Sequence, residues 1–289
     1  MFYQDPEFLR EIIDITRDAN AVLRNERSPS MQIDEKVDSN GRKSKVTSGD
    51  IKANDLIMKR LNEINCRLAN ESIGFYNIIS EEIAEASYDE RHKPLIDGSW
   101  LVDPLDGTAD YCNFDLDSPS YTCNIGLIIG DDPVFGIVSV PETGVIYYGI
   151  KDIGSFKIEN EKEIEDVDFP GTKLVIDPDK DISKSGVRVA TSASHMNHAT
   201  KEFIDSRLND VTCKAFASSL KLAAVAEGSV DIYPRCGLTC EWDTCAADAV
   251  VRFAGGGVYI YRNDLPLSEH KEMLKYNKLS LYNPFFVVF

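Results

Sequence analysis

The chain has 289 residues, of which 43% are hydrophobic and 27% charged; 31 Lys and Arg stand against 48 Asp and Glu, a formal charge of −17 at pH 7. That balance is globular and excludes disorder, collagen and low complexity. The negative charge excludes a nucleic-acid polymer as partner, since polymer binding needs a basic footprint, but it leaves room for a small phosphorylated substrate wherever cations reverse the field locally.

The longest stretch without Asp, Glu, Lys or Arg, Ser118 to Gly130, has 13 residues, too short to span a bilayer. No basic region followed by an apolar run opens the chain, so no secretory signal is expected. The seven cysteines (Cys66, Cys112, Cys123, Cys213, Cys236, Cys240 and Cys245) contain no C-x-x-C and read as reduced packing residues. The expectation is a cytoplasmic protein with no membrane partner; no oligomeric state follows from the text.

Along the chain, Glu7 to Glu26 predicts an amphipathic helix with Leu9, Ile12, Ile13, Ala19, Val22 and Leu23 on one stripe and Asp5-Pro6 opening it. The polar segment 25–47 reads as a loop. A second helix follows over about Ile51 to Arg67, with Ser48 and Asp50 where an N-cap belongs. The period then changes to strand in GFYNIIS, SWLVDP, YTCNIGLII and the pair PVFGIVSV/GVIYYGI, the last two joined by a turn at Pro141-Glu142-Thr143-Gly144. An acidic, Pro- and Lys-rich stretch between about Glu159 and Ser185, around the short strand KLVID, sets a boundary between subdomains 1–175 and 176–289. Beyond it come strand GVRVATS, a helix over Ala199 to Leu208, and a small-residue helix opening at Ser218-Ser219 and closing at Gly228. Strand VDIYP, a helix from Asp243 closed by Gly255-Gly256-Gly257, and short terminal strands complete the chain. This order predicts an α/β (α+β) protein: a largely antiparallel sheet with helices, then an α/β layer.

The chemistry gathers at the ends of elements. In WLVDPLDGT, Trp100 to Thr108, an apolar strand runs into Asp103, Asp106, Gly107 and Thr108. Carboxylates there can converge on one hard cation, with the Leu105 carbonyl as a further oxygen ligand, while Gly107 permits close approach of an anion. Asp-Pro and Asp-Gly are also ordinary turn dipeptides, and alone they mean little. NIISEE, however, places Glu81 and Glu82 at another strand end, and EWDTCAAD places Asp243 at a helix start. Glu81, Asp103, Asp106 and Asp243 gathered without a cation would repel, and Mg²⁺ is the economical counter-ion.

With SEE, DPLDGT and WDTCAAD in order, the sequence resembles the inositol monophosphatase superfamily of Mg²⁺-dependent, lithium-sensitive phosphatases. Within it, SASH (Ser192 to His195), SSLKLAAVAEGSVDIYPRCG (Ser218 to Gly237), EWDT and YNPFFVV are similar to the 3′(2′),5′-bisphosphate nucleotidases. The resemblance covers about Lys36 to Val288 and implies a layered αβαβα sandwich with the metals between two subdomains. It implies two to three Mg²⁺ ions, the first on Glu81, Asp103 and the Leu105 carbonyl, the second on Asp103, Asp106 and Asp243, a looser third shared by Glu81. Asp50, from VTSGD, is implied to stand beside Thr108, the pair orienting and helping to deprotonate the attacking water, with Glu81 counted among the catalytic groups. Gly107, Thr108, Ser192, His195, Ser218, Lys221, Arg235 and Asp243 are implied to touch the substrate. The implied reaction removes the 3′-phosphate of adenosine 3′,5′-bisphosphate, with the 5′-phosphosulfate analogue as a further substrate. Inositol polyphosphate 1-phosphatase or inositol monophosphatase activity stays open, since the metal core cannot tell a sugar ring from a ribose. The sequence departs from the family pattern at an insertion, DSNGRK, between Lys36 and VTSGD.

Overall fold

The computed structural model describes residues 1–37, 43–83, 98–116, 120–159, 167–177, 182, 186–192 and 196–289. The first helix, α1 (Pro6–Glu26), starts as its text predicts: the Asp5 side chain accepts the Glu7 N–H, and Pro6 occupies the first helical position. The segment expected as a loop instead holds two strands, β1 (Ile33–Val37) and β2 (Lys43–Thr47), paired antiparallel. Most of their side chains are solvent-exposed, so no alternating apolar pattern marks them. The second helix, α2 (Ser48–Asn70), is capped by Thr47 rather than Ser48 or Asp50. Asp50 lies in its first turn and returns the bond, accepting the Thr47 N–H at 2.7 Å.

A seven-stranded sheet follows in spatial and chain order: β3 (Asn77–Ser80), β4 (Gly98–Asp106), β5 (Thr122–Ile129), β6 (Asp132–Ser139), β7 (Ile146–Ile150), β8 (Gly154–Ile158) and β9 (Thr172–Leu174). Only β3 and β4 run parallel. A single turn of helix, α3 (Thr108–Tyr111), leaves the end of β4. The remainder comprises β10 (Arg188–Ser192), α4 (His198–Arg207), β11 (Thr212–Phe216), α5 (Leu220–Ala226), β12 (Tyr233–Arg235), α6 (Glu241–Phe253), β13 (Val258–Ile260) and β14 (Phe286–Val288). Strands β10 and β11 pair in parallel, β12 and β13 flank β14, and a bridge from Val189 to Ile232 aligns β10 with β12 in one layer.

Three buried clusters define the stacking. Helices α1 and α2 cover one face of the large sheet through Leu9, Ile12, Ile57, Leu61, Trp100 and Ile125. Helices α5 and α6 cover the other face and also meet the small sheet, with Ala223, Ala246, Val250, Leu101, Val138 and Phe286. Helix α4 closes the far side of the small sheet through Phe203 and Ile204 against Val189 and Val287. The order is helix, sheet, helix, sheet, helix: the αβαβα sandwich that the motifs imply.

One sequence feature seats α6. Gly126, Gly136 and Gly149 are register neighbours on β5, β6 and β7. A Cβ on Gly126 would stand 2.6 Å from the Cys245 Sγ, and one on Gly149 would stand 2.5 Å from the Ala249 carbonyl oxygen. This row of glycines against the Ala-rich face of α6 lets helix backbone approach sheet backbone, which carries Asp243 to the end of β4.

Candidate active site

The large sheet delivers three carboxylates. Because β3 and β4 are parallel neighbours, with Ser80 opposite Val102, their carboxyl ends set Glu81 beside Asp103. Asp103 and Asp106 are three residues apart, which in a regular strand would aim them at opposite faces. The register against β5 slips between them, Asp103 opposite Asn124 and Asp106 opposite Thr122, so β4 carries one extra residue. That bulge is the structural meaning of the D-P-L-D spacing. The first turn of α6 adds Asp243, whose carboxylate caps its own helix by accepting the Cys240 N–H at 2.8 Å. Capping therefore sets this carboxylate at the start of α6, facing the other two.

Carboxylate oxygens of Glu81, Asp103 and Asp243 all lie within 4.8 Å of one another. Burial, with Glu81, Asp106 and Asp243 nearby, pushes the Asp103 carboxyl well above its ordinary range. Burial, then Asp106 and Glu81, pushes Asp243 up to about 8. Asp106 stands just outside the trio, its Oδ2 bonded to the Ser219 N–H and hydroxyl, each at 2.8 Å. Asp103 accepts the Leu105 N–H at 3.1 Å, and the Leu105 carbonyl accepts the Thr108 hydroxyl at 3.3 Å. The donor set is entirely oxygen, buried and mutually repelling, without histidine or thiolate, which suits a hard divalent cation of the Mg²⁺, Mn²⁺ or Ca²⁺ class.

The expected pairing of Asp50 with Thr108 is not the one that forms. Asp50 is spent on its cap, its Oδ2 taking the Thr47 N–H at 2.7 Å and the Thr47 hydroxyl at 2.5 Å, while Thr108 turns back to Leu105. The two helix starts are nonetheless adjacent, since a Cβ on Gly49 would stand 2.5 Å from the Tyr111 hydroxyl. Burial pushes Asp50 up to about 7, against the lowering effect of the Thr47 bonds and with Glu82 and Glu81 adding to the rise.

Beside Asp106 and Asp243 opens a cavity of about 310 Å³, lined among others by Gly107, Ser192, Ser218, Lys221 and Arg235. Six of the eight sequence-derived substrate residues, Asp243 among them, therefore line it; Thr108 does not, and His195 lies outside the described residues. Gly107 holds φ 100°, and a side chain there would collide with the Ser218 hydroxyl, so only glycine serves. Lys221 is 6% exposed, with its ammonium 5.7 Å over the Tyr233 ring and 3.4 Å from the Phe216 carbonyl. Burial pushes it down to about 8 although Asp106 draws it up. The Ser218 Oγ and Arg235 Nε are buried without a hydrogen-bond partner among the described residues. An anion would meet donors in both groups.

Two further residues escaped the sequence reading. Lys36, marked there only as the edge of an insertion, reaches from β1 to Glu81 at 3.0 Å and Glu82 at 2.7 Å. Burial draws its ammonium down, but the two carboxylates outweigh this and the net shift is upward. Ser219, in the sequence only half of a helix-opening doublet, bonds Asp106 through both its N–H and its hydroxyl. All seven cysteines are free.

The inositol monophosphatase family model matches residues 5–278, and the chain belongs to that family of phosphatases. More particularly, it is 33% identical over 215 residues to the 3′(2′),5′-bisphosphate nucleotidase CysQ of Buchnera aphidicola, covering 74% of this chain and 70% of that protein. It is 28% identical over 286 residues to CysQ of Aggregatibacter actinomycetemcomitans, covering 97% and 91%. The crystal structure of CysQ from Bacteroides thetaiotaomicron superposes with a TM-score of 0.73 at 28% identity, covering 96% and 95%. Inositol monophosphatase II from Staphylococcus aureus, at 16% identity and a TM-score of 0.67, covering 98% and 88%, shares the fold. Among the described residues, no helix is long and apolar enough to cross a membrane.

Proposed function

We propose that the chain is a Mg²⁺-dependent phosphomonoesterase that hydrolyses adenosine 3′,5′-bisphosphate to AMP and phosphate, and acts likewise on the 5′-phosphosulfate analogue. The observation that carries this reading is the cavity wall shared by carboxylates, the buried Lys221 and the half-buried Arg235. Asp106 and Asp243 line the same cavity as Lys221 and Arg235, so a nucleotide with one phosphate at the carboxylates has a counter-charge for its second. The CysQ names of the relatives point to the same substrate class. The division into subdomains 1–175 and 176–289, with the site between them, and a cytoplasmic location that suits seven free thiols belong to the same proposal.

Glu81, Asp103, the Leu105 carbonyl, Asp106 and Asp243 would hold two Mg²⁺ ions, with a looser third on Glu81. When bound, the metal supplies charge neutralisation at the phosphoryl oxygens and acidity to the attacking water. The chain's own groups do the rest. Asp50, pushed up to about 7, is poised to accept a proton near neutral pH, relayed through the Thr108 hydroxyl once that hydroxyl leaves Leu105. The water oxygen bonds to phosphorus, the bond from phosphorus to the ribose 3′-oxygen breaks, and the departing oxygen takes up a proton. Ser192, Ser218, Lys221 and Arg235, with His195, hold the rest of the nucleotide; Gly107 keeps its backbone close to the phosphate.

A phosphate-release panel with Mg²⁺ tests this. Adenosine 3′,5′-bisphosphate is expected to exceed 3′-AMP, inositol 1-phosphate and inositol polyphosphates, to leave AMP intact, and to be inhibited by millimolar Li⁺. A better rate on inositol 1-phosphate, or onward degradation of AMP, overturns the substrate assignment.

A further inference from the structure

Ser219 joins the two halves of the site through bonds that the roles above do not use. Its N–H and hydroxyl both lie 2.8 Å from Asp106 Oδ2, and its hydroxyl lies 2.9 Å from the Asp243 main-chain oxygen. The same hydroxyl accepts the Asn124 side-chain amide at 2.9 Å. One buried side chain therefore touches β4 at Asp106, β5 at Asn124 and α6 at Asp243, and Asp106 and Asp243 are two of the three acidic residues that line the cavity. Asn124 itself stands opposite Asp103 on β5. The preceding residue, Ser218, takes φ 53°, a left-handed conformation uncommon for a residue with a side chain. That twist lets neighbours face different ways: Ser218 meets Gly107, while Ser219 turns its N–H and hydroxyl to Asp106.

The hydroxyl has one proton and two acceptors within reach, and a carboxylate accepts more strongly than a main-chain carbonyl. With its lone pair engaged by Asn124, the hydroxyl is oriented to donate to Asp106. We propose that Ser219 is a positioning residue for Asp106: two donors on Oδ2 fix the carboxylate before metal arrives and so set the affinity of the metal position that Asp106 shares with Asp243. The proposal rests on the reading of those two residues as metal ligands. Hydrogen-bond partners behind a metal ligand commonly account for ~10- to 100-fold in metal affinity.

The test is a calorimetric titration of the metal-free protein with Mg²⁺, which uses no nucleotide, so its result is independent of the substrate assignment. Ser219→Ala is expected to weaken one binding step by ~10-fold or more, while Ser219→Thr, which keeps the hydroxyl, stays within about threefold of the parent. Asn124→Ala, which frees the hydroxyl to rotate, weakens the same step less. Circular dichroism and the thermal midpoint without metal confirm that each variant is folded. Parent-like Mg²⁺ affinity in Ser219→Ala, or equal losses in folded Ser219→Ala and Ser219→Thr, overturns the proposal. Should Ser219→Ala not fold, Asn124→Ala decides: unchanged Mg²⁺ affinity there overturns it too.

Discussion

The carboxylate cluster at the ends of β3, β4 and α6 and the cationic wall of α5 and β12 meet at the same cavity, yet burial moves their groups in opposite directions. Asp243 rises to about 8 and Lys221 falls to about 8, each because its charged form has lost water. Neither region compensates the other: Asp106 draws Lys221 up only in part, and Arg235 draws Asp243 down less than the neighbouring carboxylates push it up. Two adjacent surfaces of opposite sign, each short of counter-charge, fit a ligand that brings both a cation and an anion. A metal–phosphate pair is such a ligand, and in the proposed reaction the contrast would put chemistry on the acidic wall and specificity on the basic one.

The largest effect expected is from breaking the acidic wall. Asp106→Asn keeps an oxygen for the Ser219 donors but removes a charge, and loss of several kcal/mol of metal-mediated stabilisation corresponds to a rate lower by on the order of 10³. The metal-free variant should melt no lower than the parent, since one repelling charge beside Asp103 and Asp243 is gone. Activity within tenfold of the parent at saturating Mg²⁺ refutes Asp106 as a metal ligand.

Breaking the basic wall should change selectivity instead. Charge-assisted hydrogen bonds in a desolvated site contribute ~2–4 kcal/mol, or about 30- to 1,000-fold. Lys221→Ala and Arg235→Ala together are expected to narrow the preference for the bisphosphate over 3′-AMP by that range, while the slower monophosphate reaction survives. Equal losses on both substrates would place these cations in the chemistry rather than in recognition.

Asp50→Asn should lower kcat by ~10², the scale of general-base assistance, with Mg²⁺ and substrate affinity kept. A base works deprotonated, so kcat of the parent climbs as pH rises through about 7, and the variant loses that limb. A normal kcat with weakened affinity makes Asp50 a helix cap alone.

The acidic wall was more legible in the sequence than the basic one, for a physical reason. Its carboxylates come from short contiguous texts, SEE, DPLDGT and WDT, each at an end of an element whose location periodicity reveals. The layers followed from the same periodicity, and the sandwich from the resemblance. What the text hid depends on pairing across space. The polar β1–β2 hairpin has no apolar face, so Lys36 gave no sign that it reaches Glu81. The bulge that turns Asp103 and Asp106 together is a property of two strands. Ser219 differs from Ser218 only in which way the backbone turns, and no local spacing distinguishes them.

The smallest expected effect concerns stability and separates the two walls by pH. A carboxyl group raised in the folded state favours its protonated form, so its contribution is best below the unfolded value and is lost as pH climbs toward the folded one. For Asp243 that window runs from about 4 to about 8, and Asp103 shifts in the same direction. A lysine lowered to about 8 behaves differently: its buried charge is a constant penalty below that value, relieved only as pH rises further toward the unfolded value of about 10.5. Between pH 5 and 8, then, the acidic wall adds slope and the basic wall does not, and Asp50, raised to about 7, adds slope of the same sign. The thermal midpoint of the metal-free protein should fall across that interval. Mg²⁺ should raise it more at pH 8 than at pH 6, because fewer protons must be displaced from the ligands. A difference of about 2–4 °C corresponds to ~1 kcal/mol for chains of 150–250 residues and is measurable by scanning calorimetry. A Mg²⁺ increment that does not grow with pH would mean that the carboxyl groups are already ionised without metal, and that the cluster is better solvated than its burial implies.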